Sequence, residues 1–115
     1  RSVGQIAAAT RDLIARAGAR QLSADELRGG TFTITNLGMH NIDAFTPIIN
    51  LPQCAILGIG RIQQKPAVFE GQLAIRDLVT LSLTFDHRVV DGAPAARFLN
   101  FIREYVSEPA LWMMG

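Results

Sequence analysis

His87 lies at the end of an alternating run, in the stretch Asp86-His87-Arg88-Val89-Val90-Asp91-Gly92, with Asp91 four residues further on. An imidazole has an intrinsic pKa near ~6.5, so at physiological pH much of it is neutral and able to take a proton from a thiol. Asp91 is placed to cap a following helix. There it would turn back toward the strand end and orient the site by an ion pair with Arg88 or an arginine elsewhere. The spacing also fits a plainer account, and by itself favours it: a hydrogen-bonded core histidine followed by an N-capping aspartate.

The flanking elements decide where such a pair would sit. Val79, Leu81, Leu83 and Phe85 alternate with Thr80, Ser82 and Thr84, which predicts a strand over 79–85. Beyond Asp91, with Pro94 tolerated in the first turn, Ala95, Phe98, Leu99, Ile102, Tyr105 and Val106 form the apolar stripe of a helix that Pro109 ends. A turn between strand and helix holds a side chain at the rim of a rigid scaffold. At the other end, Val3, Ile6, Ala7, Thr10, Leu13, Ile14 and Ala17 recur at helical spacing, with Gly18 near the stop. Ser23 and Glu26 match a capping box, and Gly29-Gly30 should end that short helical turn. Thr31–Thr35 reads as a strand, Asn36–Asp43 as a loop, and Pro47 and Pro52 keep the next stretch irregular. Cys54–Ile62 reads as a buried strand. Gln63–Pro66 reads as a turn, and Ala67–Phe69 with Gln72–Ile75 as a hairpin about Glu70-Gly71.

The chain has 115 residues, enough for one domain or part of one, and 49% of them are hydrophobic, ample for a packed core. A net charge of +1 with both signs interspersed leaves no electrostatic footprint for nucleic acid or an anionic membrane. No apolar run approaches the length of a membrane span. The single cysteine, Cys54, cannot close an internal disulfide, so a reducing compartment is the default. The chain opens at Arg1 and is helical by Val3, which reads as a fragment whose earlier part is missing.

Three segments, in order, carry a family resemblance. Asp86–Ala93 resembles the D-H-R-x-x-D-G-A signature of 2-oxoacid dehydrogenase acyltransferases, whose H-x-x-x-D-G core chloramphenicol acetyltransferases share. Gly29–Gly38 resembles G-G-T-F-T-I-S-N-L-G. Phe45–Asn50, continuing through Pro52 to Ala55–Gly58, resembles F-T-P-I-I-N…P…A-I-L-G. The resemblance implies a chloramphenicol-acetyltransferase-like α/β fold, a mixed β-sheet with packed helices, of which residues 1–115 form the C-terminal half of the catalytic domain. It implies transfer of an acyl group, acetyl first, between dihydrolipoamide and coenzyme A. His87 is then the base, Thr35 the oxyanion donor in place of the commoner serine, and Asp91 the partner of an arginine in the missing half. Coenzyme A and the lipoyl group enter as substrates, and no metal is expected. Homotrimers with each site shared between two subunits, assembled into a larger core with dehydrogenase subunits and lipoyl domains, complete the expectation. The tail Leu111-Trp112-Met113-Met114 would join trimers. The compartment would be the cytoplasm, or the mitochondrial matrix in a eukaryote.

Other residues carry less. His40 reads as a surface-loop histidine and Cys54 as a buried inert thiol. Gly58-x-Gly60 lacks the spacing of a phosphate loop. Asn36 and the Thr80-Ser82-Thr84 face would line a substrate channel, although a half-solvated sheet face explains them more simply. The non-enzymatic alternative is a scaffold component of the same complex, and His87, Asp91 and the position-35 hydroxyl speak against it. An antibiotic acetyltransferase or a peptide condensation domain fits one motif but not three.

Overall fold

The structure, a computed structural model, describes residues 2–108. The chain groups into two compact units: Thr31–Leu99, and a second made of residues 1–30 with residues 100–115.

In the second unit, helix α1 spans Val3–Gly18. Ser2 starts it with a capping box absent from the sequence reading: its Oγ accepts from the Gln5 amide (3.2 Å), and its own amide donates to Gln5 Oε1 (2.9 Å). Its C-terminal cap is also not the glycine. Arg20 takes the left-handed conformation (φ 57°), which lets the Gln21 amide reach back to the Arg16 carbonyl (2.7 Å). The expected Ser23–Glu26 box forms, with Ser23 N–H on Glu26 Oε1 (3.0 Å) and Glu26 N–H on Ser23 Oγ (3.3 Å). Arg16 joins helix and turn by donating to both Asp12 and Glu26.

The Thr31–Leu99 unit holds a three-stranded mixed sheet. Strand β1 (Thr33–Asn36) runs parallel to β2 (Ala55–Ile59). On its other side β2 pairs antiparallel with β5 (Leu81–Phe85). Between them β3 (Gln63–Phe69) and β4 (Gln72–Leu78) form a separate two-stranded ribbon. Glu70 and Gly71 both have positive φ (52° and 77°), the requirement of the tight turn whose twist matches a hairpin. The expected turn at Gln63–Pro66 is instead the first half of β3. Pro66 is tolerated there because each strand of a two-stranded ribbon has a free edge. Helix α2 covers Gly92–Ser107, as its stripe predicts. Phe98 on its first half meets Phe32 edge to face, with ring centres 5.9 Å apart.

The sheet register sorts the side chains. Thr33 and Thr35, Ile56 and Gly58, and Ser82 and Thr84 share one face, because paired residues point the same way. Ile34, Leu57 and Leu83 occupy the other. A segment of chain lies flat on the hydroxyl-bearing face. A Cβ built on Gly60 would stand 1.9 Å from the Asp43 carbonyl oxygen, and one on Gly58 would stand 2.9 Å from Phe45 Cζ. The Gly58-x-Gly60 spacing therefore removes two side chains so that Ile42–Phe45 can cross the sheet. The Arg61 amide on the Ile42 carbonyl (2.8 Å) and an Arg61–Asp43 ion pair hold the crossing in place.

The core is thinner than the composition suggests. Among the described residues, Ala55, Ile56, Leu57 and Ala95 are the buried members of the hydrophobic set, whereas Ile34, Ile48, Leu73 and Ile75 are exposed.

Two outcomes follow from these contacts. Gly60→Ala should lower stability by more than about 3 kcal/mol, since backbone rather than a flexible side chain must move. Gly18→Ala, with nothing within 4 Å, should be neutral or stabilising by about 0.5–1 kcal/mol; thermal melts that rank the two equally would refute the crossing. The second concerns Glu26, held at about 2 against an ordinary 4.5, first by Arg16 and then by the Ser23 amide. Its folded value is depressed, so its contribution is complete above pH 4.5 and lost as pH falls toward 2. Amide resonances of residues 21–27 should shift over that range, and Glu26→Gln should remove the dependence.

Candidate active site

Asp86 organises the turn that presents His87. Its amide donates to the Cys54 carbonyl (2.7 Å), tying the end of β5 to the start of β2. Its carbonyl accepts from Val89 N–H (3.0 Å) and Val90 N–H (2.9 Å), which closes the turn. Its carboxylate accepts from the Arg88 amide (3.0 Å), Nε (3.0 Å) and Nη2 (2.9 Å). His87 is thus held between two residues clamped to each other. The Asp86 carboxyl sits below the usual carboxylate range, chiefly because the Arg88 side chain donates to it.

The His87 side chain is exposed and leans on Phe85, with ring centres 5.3 Å apart. Its Nε2 faces the start of α2, where a Cβ on Gly92 would lie 3.9 Å away. Asp91 is the residue before α2, and its carbonyl accepts from Ala95 N–H (3.2 Å), the first bond of the helix. Of the partners expected for Asp91, Arg88 or an arginine elsewhere, Arg88 pairs with Asp86 instead. Arg88 follows His87, and its guanidinium folds back across the histidine onto Asp86. The Asp91 carboxylate has no polar partner among the described residues.

Thr35 sits on β1, paired with Gly58 and through it with Ser82. Its hydroxyl makes no hydrogen bond among the described residues, whereas that of Thr33 donates to Gln53 Oε1 (2.6 Å). The sheet does not bring Thr35 and His87 together within one chain. From the rung of Thr35 to that of Phe85 is three residues along the strands and two strands across, about 14 Å. His87 lies two residues beyond Phe85.

Asn36 lies on the face opposite Thr35, and its Oδ1 accepts from the Gly38 amide (2.8 Å), which shapes the loop after β1. His40 is exposed in a single helical turn. Cys54 is half-buried rather than fully buried. No cluster of metal-ligating side chains exists among the described residues, and no described helix is long and apolar enough to cross a membrane. The 111–114 tail lies outside the described residues. Sequence reasoning missed the Asp86 hub and the Phe45 crossing; paired glycines inside a strand were the available signal for the second.

The reading of His87 as a base predicts that Asp86→Ala in the complete polypeptide lowers kcat about tenfold or more with little change in KM, since the histidine is displaced and no substrate contact is lost. Arg88→Ala should follow it, and Arg88→Lys should recover part of the loss. A KM effect alone would contradict the positioning role.

Residues 1–114 match the family described as 2-oxoacid dehydrogenases acyltransferase (catalytic domain). The dihydrolipoyllysine-residue acetyltransferase component of the Staphylococcus aureus pyruvate dehydrogenase complex is 43% identical over 114 residues, covering 99% of this chain and 26% of that protein. A probable mitochondrial dihydrolipoyllysine-residue succinyltransferase component of the 2-oxoglutarate dehydrogenase complex from Schizosaccharomyces pombe is 42% identical over 113 residues, covering 98% and 25%. Among solved structures, the Azotobacter vinelandii dihydrolipoamide acetyltransferase superposes with a TM-score of 0.88 at 40% identity, covering 94% of this chain and 44% of that one. The chain therefore spans about a quarter of these curated relatives and under half of the solved neighbour. Its α/β architecture is the chloramphenicol-acetyltransferase-like fold of such cores. On the extent of these matches, the chain belongs to the catalytic-domain family of the 2-oxoacid dehydrogenase acyltransferases.

Proposed function

We propose that the complete polypeptide carrying this sequence transfers an acyl group, acetyl first, between dihydrolipoamide and coenzyme A, at a site formed by two copies of the chain. The observation that carries this reading is the separation of Thr35, on β1, from His87, just beyond β5, neither making a side-chain hydrogen bond among the described residues. A base and an oxyanion donor that cannot meet within a chain can meet across a symmetric interface. The exposed apolar side chains are consistent with such an assembly, and one solved neighbour is the cubic core of a pyruvate dehydrogenase complex. Support also comes from the Azotobacter enzyme. The serine, histidine and asparagine investigated there for their catalytic role are spaced along its chain as Thr35, His87 and Asp91 are here.

In this mechanism His87 accepts the proton of the attacking thiol, that of coenzyme A or of the dihydrolipoyl arm. The thiolate sulfur bonds to the thioester carbon, and the carbonyl electrons move onto oxygen. Thr35 of the neighbouring copy donates its hydroxyl hydrogen to that oxyanion; threonine keeps the donor of serine while its methyl stiffens the rotamer. The carbonyl re-forms, the original carbon–sulfur bond breaks, and the departing thiolate takes the proton back from His87. Asp91, without a partner among the described residues, is assigned to an arginine elsewhere in the polypeptide. Asn36, occupied by its own loop, is given no substrate contact. A homotrimer within a larger core, served by lipoyl domains and dehydrogenase subunits in the cytoplasm or a mitochondrial matrix, belongs to the same proposal, as does placing residues 1–115 in the C-terminal half of the catalytic domain.

His87→Ala in the complete polypeptide should lower kcat for acetyl transfer from acetyl-coenzyme A to dihydrolipoamide about 10²–10⁴-fold. Thr35→Ala should lower it about 10²–10³-fold. Co-assembling the two variants in equal amounts should restore roughly a quarter of the sites, because a subunit with His87 then meets a neighbour with Thr35. A mixture as inactive as its components would sink the shared site, and full activity in His87→Ala would return the histidine to a structural role.

A further inference from the structure

Gln53 stands where the chain enters β2, on the rim that carries His87. The Asp86 amide donates to the Cys54 carbonyl (2.7 Å), one position beyond the Ala55–Phe85 pair of the ladder. One further step along each chain reaches Gln53 and His87. Opposed Cα atoms lie about 5.5 Å apart and successive ones about 3.8 Å, so the Cα atoms of Gln53 and His87 are within about 13 Å of each other. The Gln53 side chain is half-buried and held. Its Oε1 accepts from the Thr33 hydroxyl (2.6 Å), and its main-chain amide donates to the Asn50 carbonyl (3.0 Å). A side-chain amide is planar, so fixing its oxygen also fixes the direction of its NH2 group. That NH2 group makes no hydrogen bond among the described residues. Two other polar side chains of this rim are engaged, Thr33 by Gln53 and Asp86 by Arg88.

Resting on the reading of His87 as the base that takes the thiol proton, we propose that Gln53 binds the arm of coenzyme A. Its NH2 group donates to the carbonyl of the amide that lies two methylenes from the sulfur. With the sulfur at the His87 imidazole, the extended arm from sulfur to that carbonyl covers about 6 Å. The Gln53 side chain spans much of the remainder. The donor is neutral, which suits a carbonyl oxygen; a phosphate draws on a cation instead. Dihydrolipoamide also ends in an amide, but a longer run of carbons separates it from the thiols. Gln53 therefore separates the two thiols of the reaction, holding coenzyme A and not the dihydrolipoyl arm. The contact is remote from the reacting carbon and equal in ground and transition states, so it lowers KM and leaves kcat unchanged. Thr33 has a part in it as well. A donor whose direction is already fixed loses little rotamer freedom when the ligand arrives.

The test uses the complete assembled polypeptide with dihydrolipoamide as acceptor and three acetyl donors. These are acetyl-coenzyme A, the acetyl thioester of N-acetylcysteamine, which keeps the amide in place, and that of pentanethiol, which has an arm of equal length without it. Gln53→Glu keeps the acceptor for Thr33 and removes the donor, whereas Gln53→Leu removes both. Each should raise KM for acetyl-coenzyme A and for the N-acetylcysteamine thioester about 3–10-fold. Values of kcat, and KM for the pentyl thioester and for dihydrolipoamide, should stay as in the parent. Thr33→Val should raise the same two KM values by a smaller factor, and it decides the matter by that selectivity if neither Gln53 variant assembles. A rise shared equally by the pentyl thioester, a loss confined to kcat, or no change at all, in variants that assemble and melt like the parent, overturns the proposal. A parent inactive with every donor overturns the proposed function itself, a result distinct from an active parent whose KM values move together.

Discussion

Everything at the site depends on how β2 is paired. It is the central strand, parallel to β1 on one side and antiparallel to β5 on the other. In a sheet a slip of one residue would turn each side chain to the other face. The observed register puts Thr35, Gly58 and Ser82 on one rung and Ala55 opposite Phe85. Because β5 runs against β2, its C-terminal end lies at the start of β2, and His87 emerges away from Thr35. The distance between His87 and Thr35 is thus a property of strand direction, and no side-chain rearrangement within the chain closes it.

The same strand explains the glycines. Gly58 and Gly60 are two residues apart and therefore face the same way. A chain segment can lie on a sheet only where side chains are missing, and Ile42–Phe45 uses both gaps. One gap admits the Asp43 carbonyl and the other the tip of the Phe45 ring. The loop after β1 is consequently part of the scaffold around Thr35, although it lies outside the strands.

At the opposite end, rigidity comes from polar contacts. The turn after β5 is exposed, and its order derives from one residue whose amide, carbonyl and carboxylate are all engaged. An ion pair whose arginine is exposed contributes little to global stability. Its consequence here is local: it narrows the orientations of the intervening histidine. The ribbon and β1 also carry uncovered apolar side chains, Val68, Leu73 and Ile75 on the ribbon and Ile34 on β1.

Much of this was legible in the residues. The stripe of α2, the Ser23–Glu26 box, the Glu70-Gly71 hairpin and the position of His87 after an alternating strand all depend on neighbours within a few positions, where periodicity and cap chemistry act. The ordered motifs identified the family for the same reason, because they are contiguous in sequence. The extra half of β3, the choice of Asp86 over Asp91 as the partner of Arg88, and the use of Gly58-x-Gly60 as a crossing were not legible. Each is settled by segments far apart in the chain coming into contact. The separation of Thr35 from His87 is of that kind as well: the sequence determined which groups could do the chemistry, and only the tertiary pairing of β1, β2 and β5 decided that they point to two ends of one sheet.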